Sequence, residues 1–275
     1  MKRLAVAAVV GLLVIIFFVW INNKWITVSE YIISSPDIPA AFSGARIVQI
    51  SDLHNATFGS DQAALLEKVA AAEPDVIFVT GDLVDNDRYD PDVAIEVING
   101  LSTLAEVYFV TGNHEISRGR VNEILSALEE TGITILENEM VEWMRKGERI
   151  YIAGVHDPLL GYAAGNFEYS TQSLEAIPFT AEFTLLLAHR PELVDEYMET
   201  EADVVFSGHA HGGQIRLPGL GGLYAPGQGF FPELTEGVTR FNDLQLVISR
   251  GLGNSSFPLR IFNRPEIVVV TLDRE

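Results

Sequence analysis

The 275-residue sequence contains no cysteine. This absence excludes disulfide bonds, thiolate metal sites and a cysteine nucleophile, and it is compatible with an oxidising or a reducing compartment. Basic residues are also few, because 18 Lys and Arg stand against 38 Asp and Glu, for a formal net charge of −20. Such a surface repels phosphate backbones, so nonspecific nucleic-acid binding is not expected. An anionic substrate would need local positive charge, which bound divalent metal ions could supply.

An uncharged apolar run follows Lys2 and Arg3 and covers residues 4–21. Its length is close to the ~20 residues that cross a bilayer. We predict an uncleaved single-pass transmembrane anchor at residues 1–24. A signal peptide is the competing interpretation, but its apolar region would be shorter and no small-x-small cleavage site follows residue 21. The amino terminus, Lys2 and Arg3 outweigh Lys24, so the positive-inside rule predicts a cytoplasmic N-terminus and an extracytoplasmic domain at the cell membrane.

The remainder is expected to form a connecting strand and loop at residues 25–45 and one domain at residues 46–275. Apolar runs at 46–51, 76–80 and 107–111 each precede a segment of helical periodicity, at 62–72, 91–104 and 121–130. Alternating strands and helices predict an α/β fold with parallel strands. Further strands are predicted at 134–136, 140–144 and 149–153 as an antiparallel meander, and then at 183–188, 204–207, 244–249 and 266–272. We expect a long loop at 154–167 and a second, glycine-rich loop at 212–229.

Polar side chains recur where these predicted strands end. The set consists of Asp52, His54, Asp82, Asn113, His114, His189, His209 and His211, and includes five of the six histidines. Carboxylate oxygen and imidazole nitrogen suit Zn, Mn, Fe or related divalent ions, and the set exceeds what one tetrahedral ion can use, so two metals are implied. Alternate residues of a strand share one side, which predicts that each Asp-x-His or His-x-His pair reaches one ion. Asp82 alone would fit a helix cap equally well, but beside the other residues it could bridge the ions.

These blocks, in this order, resemble the calcineurin-like metallophosphoesterases: Asp52-x-His54, Gly81-Asp82-x-x-Asp85, Gly112-Asn113-His114-Glu115, His189 and Gly208-His209-x-His211. Flanking sequences at 50–54, 211–218 and 249–253 resemble the membrane-associated YkuE and YaeI branch. The resemblance implies a four-layer αββα sandwich. It also implies that Asp52, His54 and His211 bind one metal, that Asn113, His189 and His209 bind the second, and that Asp82 lies between them. By the same resemblance, the catalytic residues are Asp82 and His114, and it is His114 that would stabilise the transition state or protonate the leaving oxygen.

Five further residues are candidates for roles around the metals or at the substrate. Asp85 and Glu115 could orient ligating imidazoles, or could simply cap helices and form surface ion pairs. His156 is either a substrate contact or a loop residue. Arg190 and Arg216 could contact phosphate or a headgroup, although pairing with nearby acidic residues is the more common role of such arginines.

The predicted function is a membrane-anchored, dinuclear-metal phosphohydrolase, a phosphodiesterase or phosphatase that acts by metal-hydroxide attack. Mn, Fe, Zn and Mg all remain candidates for the two divalent ions. The anchor and the apolar residues Phe230, Phe231, Phe257 and Phe262 suggest a lipid-linked substrate, although core packing is the commoner role of phenylalanine. The branch resemblance offers an alternative, a pyrophosphate hydrolase of UDP-2,3-diacylglucosamine in lipid A biosynthesis, whose precursor would require a cytoplasmic domain. A second alternative is a non-catalytic metal-binding scaffold at the membrane.

Overall fold

The computed structural model describes residues 2–255 and 257–275. The α-helices in this part of the chain are α1 (Lys2–Lys24), α2 (Ala63–Ala71), α3 (Pro91–Ser102), α4 (Asn113–Ile116), α5 (Val121–Glu129), α6 (Leu159–Tyr162), α7 (Tyr169–Ala176) and α8 (Val194–Tyr197). The strands are β1 (Thr27–Ser35), β2 (Arg46–Ile50), β3 (Val76–Val79), β4 (Glu106–Phe109), β5 (Thr134–Ile135), β6 (Glu139–Arg145), β7 (Glu148–Gly154), β8 (Thr184–Leu187), β9 (Val204–Ser207), β10 (Arg216–Leu217), β11 (Gly221–Gly222), β12 (Tyr224–Ala225), β13 (Gly229–Phe230), β14 (Gly237–Phe241), β15 (Leu244–Ile248) and β16 (Glu266–Arg274).

Two six-stranded sheets form the centre of the fold. The first has the order β1-β16-β2-β3-β4-β5 and the second has the order β14-β15-β9-β8-β7-β6. Strands β2 to β5 are parallel to one another, as are β7, β8, β9 and β15. Strands β3, β8 and β9 are buried along their whole length. Continuous apolar or β-branched runs are typical of parallel strands that are covered on both faces.

The sheets pack face to face, with helices on both outer faces. Phe78 of the first sheet meets Phe206 of the second edge-on, with ring centroids 5.0 Å apart. Helix α3 covers the first sheet with buried residues at helical spacing, including Val97 and Leu101. Helices α7 and α8 cover the second sheet through Leu174 and Tyr197. The predicted four-layer αββα sandwich is therefore confirmed.

Three sequence-based predictions about the second half were wrong. The meander is a single hairpin, because β6 pairs antiparallel with β7 whereas β5 joins the first sheet beside β4. The loop at 154–167 contains the short helix α6, and the glycine-rich segment contains the hairpins β10–β11 and β12–β13. These elements are two to four residues long, too short for a periodic pattern to reveal them.

Helix α1 is long and apolar enough to cross a membrane, and the apolar window that defines this property is uncovered by the rest of the protein. It ends at Lys24, shortly before β1 begins at Thr27. Strand β1 runs parallel to β16 over nine residue pairs, from Thr27 opposite Glu266 to Ser35 opposite Arg274. The helix is thus connected directly to an edge strand of the first sheet.

Candidate metal centre

The polar residues that follow five strands meet at one edge of the sandwich. Asp52 and His54 follow β2, Asp82 follows β3, Asn113 and His114 follow β4, His189 follows β8, and His209 and His211 follow β9. These are the carboxyl ends of parallel strands, where α/β folds place their ligand sites. Residues from both sheets therefore contribute to one site.

The first group of candidate ligands consists of Asp52, His54, Asp82 and His211, whose ligand atoms all lie within 4.8 Å of one another. His54 Nε2 is 3.1 Å from His211 Nε2 and 3.5 Å from Asp82 Oδ2. His211 Nε2 is 3.3 Å from Asp52 Oδ1. All four residues are buried. Two imidazole nitrogens and two carboxylates that face a common point form a donor set suited to a divalent ion.

The second group consists of Asp82, His189 and His209. His189 Nε2 lies 3.3 Å from Asp82 Oδ2 and 3.2 Å from His209 Nδ1. Asn113 Oδ1 is buried and has no hydrogen-bond partner within the described residues. A buried polar atom without a partner is rare, and a ligand can satisfy it. Asp82 belongs to both groups, so the residues fit two ions that share this carboxylate.

Hydrogen bonding fixes which nitrogen of His189 faces the site. His189 Nδ1 is 2.7 Å from the carbonyl oxygen of Thr80, which can only accept, so Nδ1 carries the proton. In the neutral ring, Nε2 then presents its lone pair toward Asp82. Orientation of this kind by a backbone carbonyl is typical of metal-binding histidines.

The electrostatics of the site favour neutral imidazoles at His54, His209 and His211 but a protonated one at His189. Burial lowers the pKa of His54 to about 3 and holds the pKa values of His209 and His211 well below their usual value. Burial also lowers the pKa of His189, but the Asp82 carboxylate outweighs it and raises that pKa to about 10. Burial alone would raise the pKa of Asp82. The charge of the adjacent His189 and its hydrogen bond outweigh burial and lower this pKa well below its usual value. The His189–Asp82 pair therefore binds a proton in a position that a metal cation could occupy instead.

The backbone departs from extended geometry at the candidate ligands. Asp52, His54, Asp82, His209 and His211 all have positive φ, between 46° and 62°. Left-handed conformations are uncommon for non-glycine residues and cluster at functional sites. The spacing argument agrees with Asp52 and His54, which share the first group, and was wrong for His209 and His211, which belong to different groups.

Glycine at position 112 allows the loop after β4 to approach Asp82 closely. A Cβ at Gly112 would collide with the Asp82 carboxylate and would lie 2.6 Å from the Asp82 backbone nitrogen. Any larger residue would therefore displace Asp82.

Glu115 holds the backbone around Asp82 rather than an imidazole. Its carboxylate accepts hydrogen bonds from the N–H groups of Asp82 (2.8 Å), Gly112 (2.7 Å) and Val84 (3.1 Å). Burial and the Asp82 charge raise the pKa of Glu115 to about 7. The loops after β3 and β4 are thus tied together by one buried side chain.

His114 lies beside the first group. Its ring centroid is 4.3 Å from that of His54, and its backbone N–H donates to Asp82 Oδ1 at 2.8 Å. His114 Nδ1 accepts from the Asn86 N–H at 3.0 Å, so a neutral ring carries its proton on Nε2. Asp85 has a ligand atom within 4.8 Å of His54 and His114, and it pairs with Arg88 at 2.6 Å.

The other three candidates have partners of their own. His156 is buried, with its Nδ1 3.0 Å from Thr111 Oγ1 and its Nε2 3.3 Å from Glu137. Arg190 pairs with Asp157 at 2.6 Å. Arg216 pairs with Glu236 and donates to the Gly212 carbonyl at 2.9 Å.

Sequence reasoning missed three residues around the candidate ligands. Glu192 Oε1 lies 3.5 Å from His209 Nε2, and its position three residues after His189 was the available signal. Arg260 is fully buried, with Nη2 3.4 Å from His211 Nδ1, and Asn263 donates to the His211 carbonyl at 2.7 Å. No periodicity or motif marks these last two, because they reach the site from a loop about fifty residues further along the chain.

Comparison with known proteins identifies the family. Residues 45–213 match the model of the calcineurin-like phosphoesterases. The chain is 31% identical over 258 residues to the metallophosphoesterase YkuE of Bacillus subtilis, covering 92% of this chain and 87% of that protein. It is 29% identical to a transmembrane protein with a metallophosphoesterase domain from Danio rerio, over 86% of this chain and 54% of that one. The chain therefore belongs to the calcineurin-like phosphoesterases.

A solved structure agrees on the fold. The phosphopantetheinyl hydrolase PptH of Mycobacterium tuberculosis superposes with a TM-score of 0.50 at 15% identity, covering 75% of this chain and 89% of that one. Family membership makes this protein a metal-dependent phosphoric ester hydrolase, and the predictions of family and enzyme class are confirmed. The buried His and Asp groups are residues that could hold its metals.

Proposed function

We propose that this protein is a membrane-anchored hydrolase that cleaves phosphoester bonds with two divalent metal ions. The observation that carries the proposal is the pair of ligand groups that share Asp82. In the proposed assignment, Asp52, His54 and His211 hold one ion, Asn113, His189 and His209 hold the other, and Asp82 contacts both. When bound, two such ions lower the pKa of a water molecule and stabilise the charge of an in-line displacement at phosphorus.

The chain's own residues supply position and protons. The His114 N–H fixes Asp82 Oδ1, which leaves Oδ2 directed at His54 and His189. Because the Asn86 N–H occupies the Nδ1 lone pair, the neutral His114 ring keeps its Nε2 N–H as a hydrogen-bond donor for the ester oxygens. We therefore assign His114 as a transition-state hydrogen-bond donor. Burial of the ligands keeps bulk water from competing for the phosphoryl oxygens.

The proposed division of the chain is an anchor at 1–24, a connecting segment at 25–45 and a hydrolase domain at 46–275. More positive charge precedes the apolar run, at Lys2 and Arg3, than follows it, at Lys24. By the positive-inside rule this difference supports an extracytoplasmic domain. A lipid-linked phosphoester is the proposed substrate, because a cleft of about 370 Å³ is lined both by His54 and by Trp20 of α1. A C-terminal fusion reporter tests the orientation. An external domain favours envelope phospholipids, whereas a cytoplasmic one favours the nucleotide-linked precursor.

Substitution of one shared and one unshared ligand tests the hydrolase proposal. Asp82→Asn should remove most of both bound metals and His209→Ala most of one, and each should lower hydrolysis of bis-p-nitrophenyl phosphate by about a thousandfold or more. Metal content is measured by elemental analysis on full-length protein purified with Mn, Zn, Fe or Mg. Asp243→Asn, at an exposed carboxylate, is the matched control. Full activity in metal-stripped wild type, or in Asp82→Asn, would refute the assignment.

A further inference from the structure

Two adjacent loops present an apolar surface beside the metal centre. Its exposed residues, here called the apolar rim, are Leu220, Tyr224, Phe230, Phe231, Phe257, Leu259 and Phe262. Phe230 is 73% exposed and Phe262 is 57% exposed. Gln214 donates to the carbonyls of Phe257 (2.9 Å) and Leu259 (3.2 Å), and Tyr224 of the first loop lines one cavity with Phe257 of the second. The rim is therefore one surface rather than scattered exposed side chains, and such surfaces usually mark interaction sites.

The rim is attached to the last turns of helix α1. Asn23 Oδ1 accepts from the Arg260 N–H and from Asn254 Nδ2, both at 2.9 Å. Asn22 Oδ1 accepts from the Asn263 N–H at 3.2 Å. The Phe18 and Phe262 rings pack edge-on with centroids 5.1 Å apart. The position of the rim relative to the helix is thus fixed by side-chain contacts.

These contacts determine how deep the rim would lie. At 1.5 Å per residue, the uncharged stretch 4–21 is about 27 Å long, close to the ~30 Å hydrocarbon thickness of a bilayer. Phe18 lies six residues before Lys24, about 9 Å further into such a span. A ring packed on Phe18 would therefore reach the hydrocarbon boundary rather than bulk water.

We propose that the apolar rim is a second membrane contact, with the lipid bilayer as its partner, and that it holds the mouth of the metal centre against the bilayer. The inference rests on the proposed anchor and narrows the substrate to phosphoesters carried by membrane lipids. The cleft that His54 shares with α1 is also lined by Lys24, Arg88 and Leu259. A phosphate at the metals would face basic side chains, and its apolar substituent would extend toward the rim.

The absence of cysteine permits a direct test, because any introduced cysteine can be labelled uniquely. Full-length variants Phe262→Cys and Phe230→Cys are labelled with an environment-sensitive fluorophore in phosphatidylcholine vesicles that contain doxyl-labelled phosphatidylcholine as the quencher. Val10→Cys reports on the helix. Met144→Cys is the matched control, because Met144 is 56% exposed and lies near the carboxyl end of β6, paired with Arg149 at the amino end of β7 and so at the end of the sheet away from the site.

The proposal predicts strong quenching at positions 10, 262 and 230 and none at 144. Quenching at 10 without quenching at 262 and 230 would overturn it and would indicate that a protein partner or a second copy covers the rim. Absence of quenching at 10 would overturn the anchor as well. None of these outcomes depends on activity, so a failure of the rim is distinguishable from a failure of the hydrolase assignment.

Discussion

Replacement of Glu115 by alanine should destabilise the protein, and the amount should depend on pH. The change leaves three buried backbone N–H groups without an acceptor, those of Asp82, Val84 and Gly112. Each such group costs about 1–3 kcal/mol, so the total loss is about 3–9 kcal/mol. Most of this cost applies at pH 5, where a carboxyl with a pKa of about 7 is protonated in the folded protein.

At pH 8 the cost should be smaller. The rise of the Glu115 pKa from its usual 4.5 to about 7 means that its ionisation in the fold costs about 3 kcal/mol. The stability that the protonated carboxyl contributes is fully present below pH 4.5 and is lost as the pH rises through 7. Alanine removes this charge along with the hydrogen bonds. The destabilisation should therefore shrink by about 2.5 kcal/mol between pH 5 and pH 8.

The assay is chemical unfolding of metal-stripped, full-length protein in detergent, followed through the buried indole of Trp143. Glu129→Ala, at an exposed position at the end of α5, is the control and should change little at either pH. A Glu115→Ala cost below about 1 kcal/mol at pH 5, or a cost that grows with pH, would refute the role assigned to Glu115.

Three further predictions concern His114, Asp203 and Asn23. His114→Ala should lower kcat about 10²–10³-fold with metal content unchanged, and more for alkyl than for p-nitrophenyl esters; equal losses for both leaving groups would count against a hydrogen bond from His114 to the leaving oxygen. Burial raises the pKa of Asp203 to about 6, so Asp203→Asn should gain melting temperature relative to wild type as the pH rises from 4 to 7, and a constant difference would contradict this. Asn23→Ala removes its hydrogen bonds to Arg260 and Asn254, so proteolysis at residues 257–263 should become several-fold faster; unchanged cleavage would show that other contacts hold this segment.

The sequence predicted the parts of this protein that carry long or repeated patterns. The β-loop-α units and the polar residues at the ends of β2, β3, β4, β8 and β9 were found because buried parallel strands read as continuous apolar runs. The pairing of β5 was missed, since two residues give no periodicity. Strand alternation alone placed His209 and His211 together, and only the family resemblance assigned them to different metals; both residues have left-handed backbone, to which the alternation of a strand does not apply. The roles of Arg260 and Asn263 could not be predicted from the sequence, because their contacts with His211 arise only from tertiary packing.

The candidate metal centre draws on both sheets, and this has a consequence for how the protein is assembled. Each group combines a residue that follows the first sheet with one that follows the second, as Asp82 and His189 do. The contributing residues extend from Asp52 to His211, so the site cannot exist until loops of this length have closed. In a chain that has folded only its first sheet, His189 and His209 of the second group are not yet in position. High-affinity metal binding would therefore require that the two halves have docked. The bound ions would in turn stabilise the docked state relative to the separated halves.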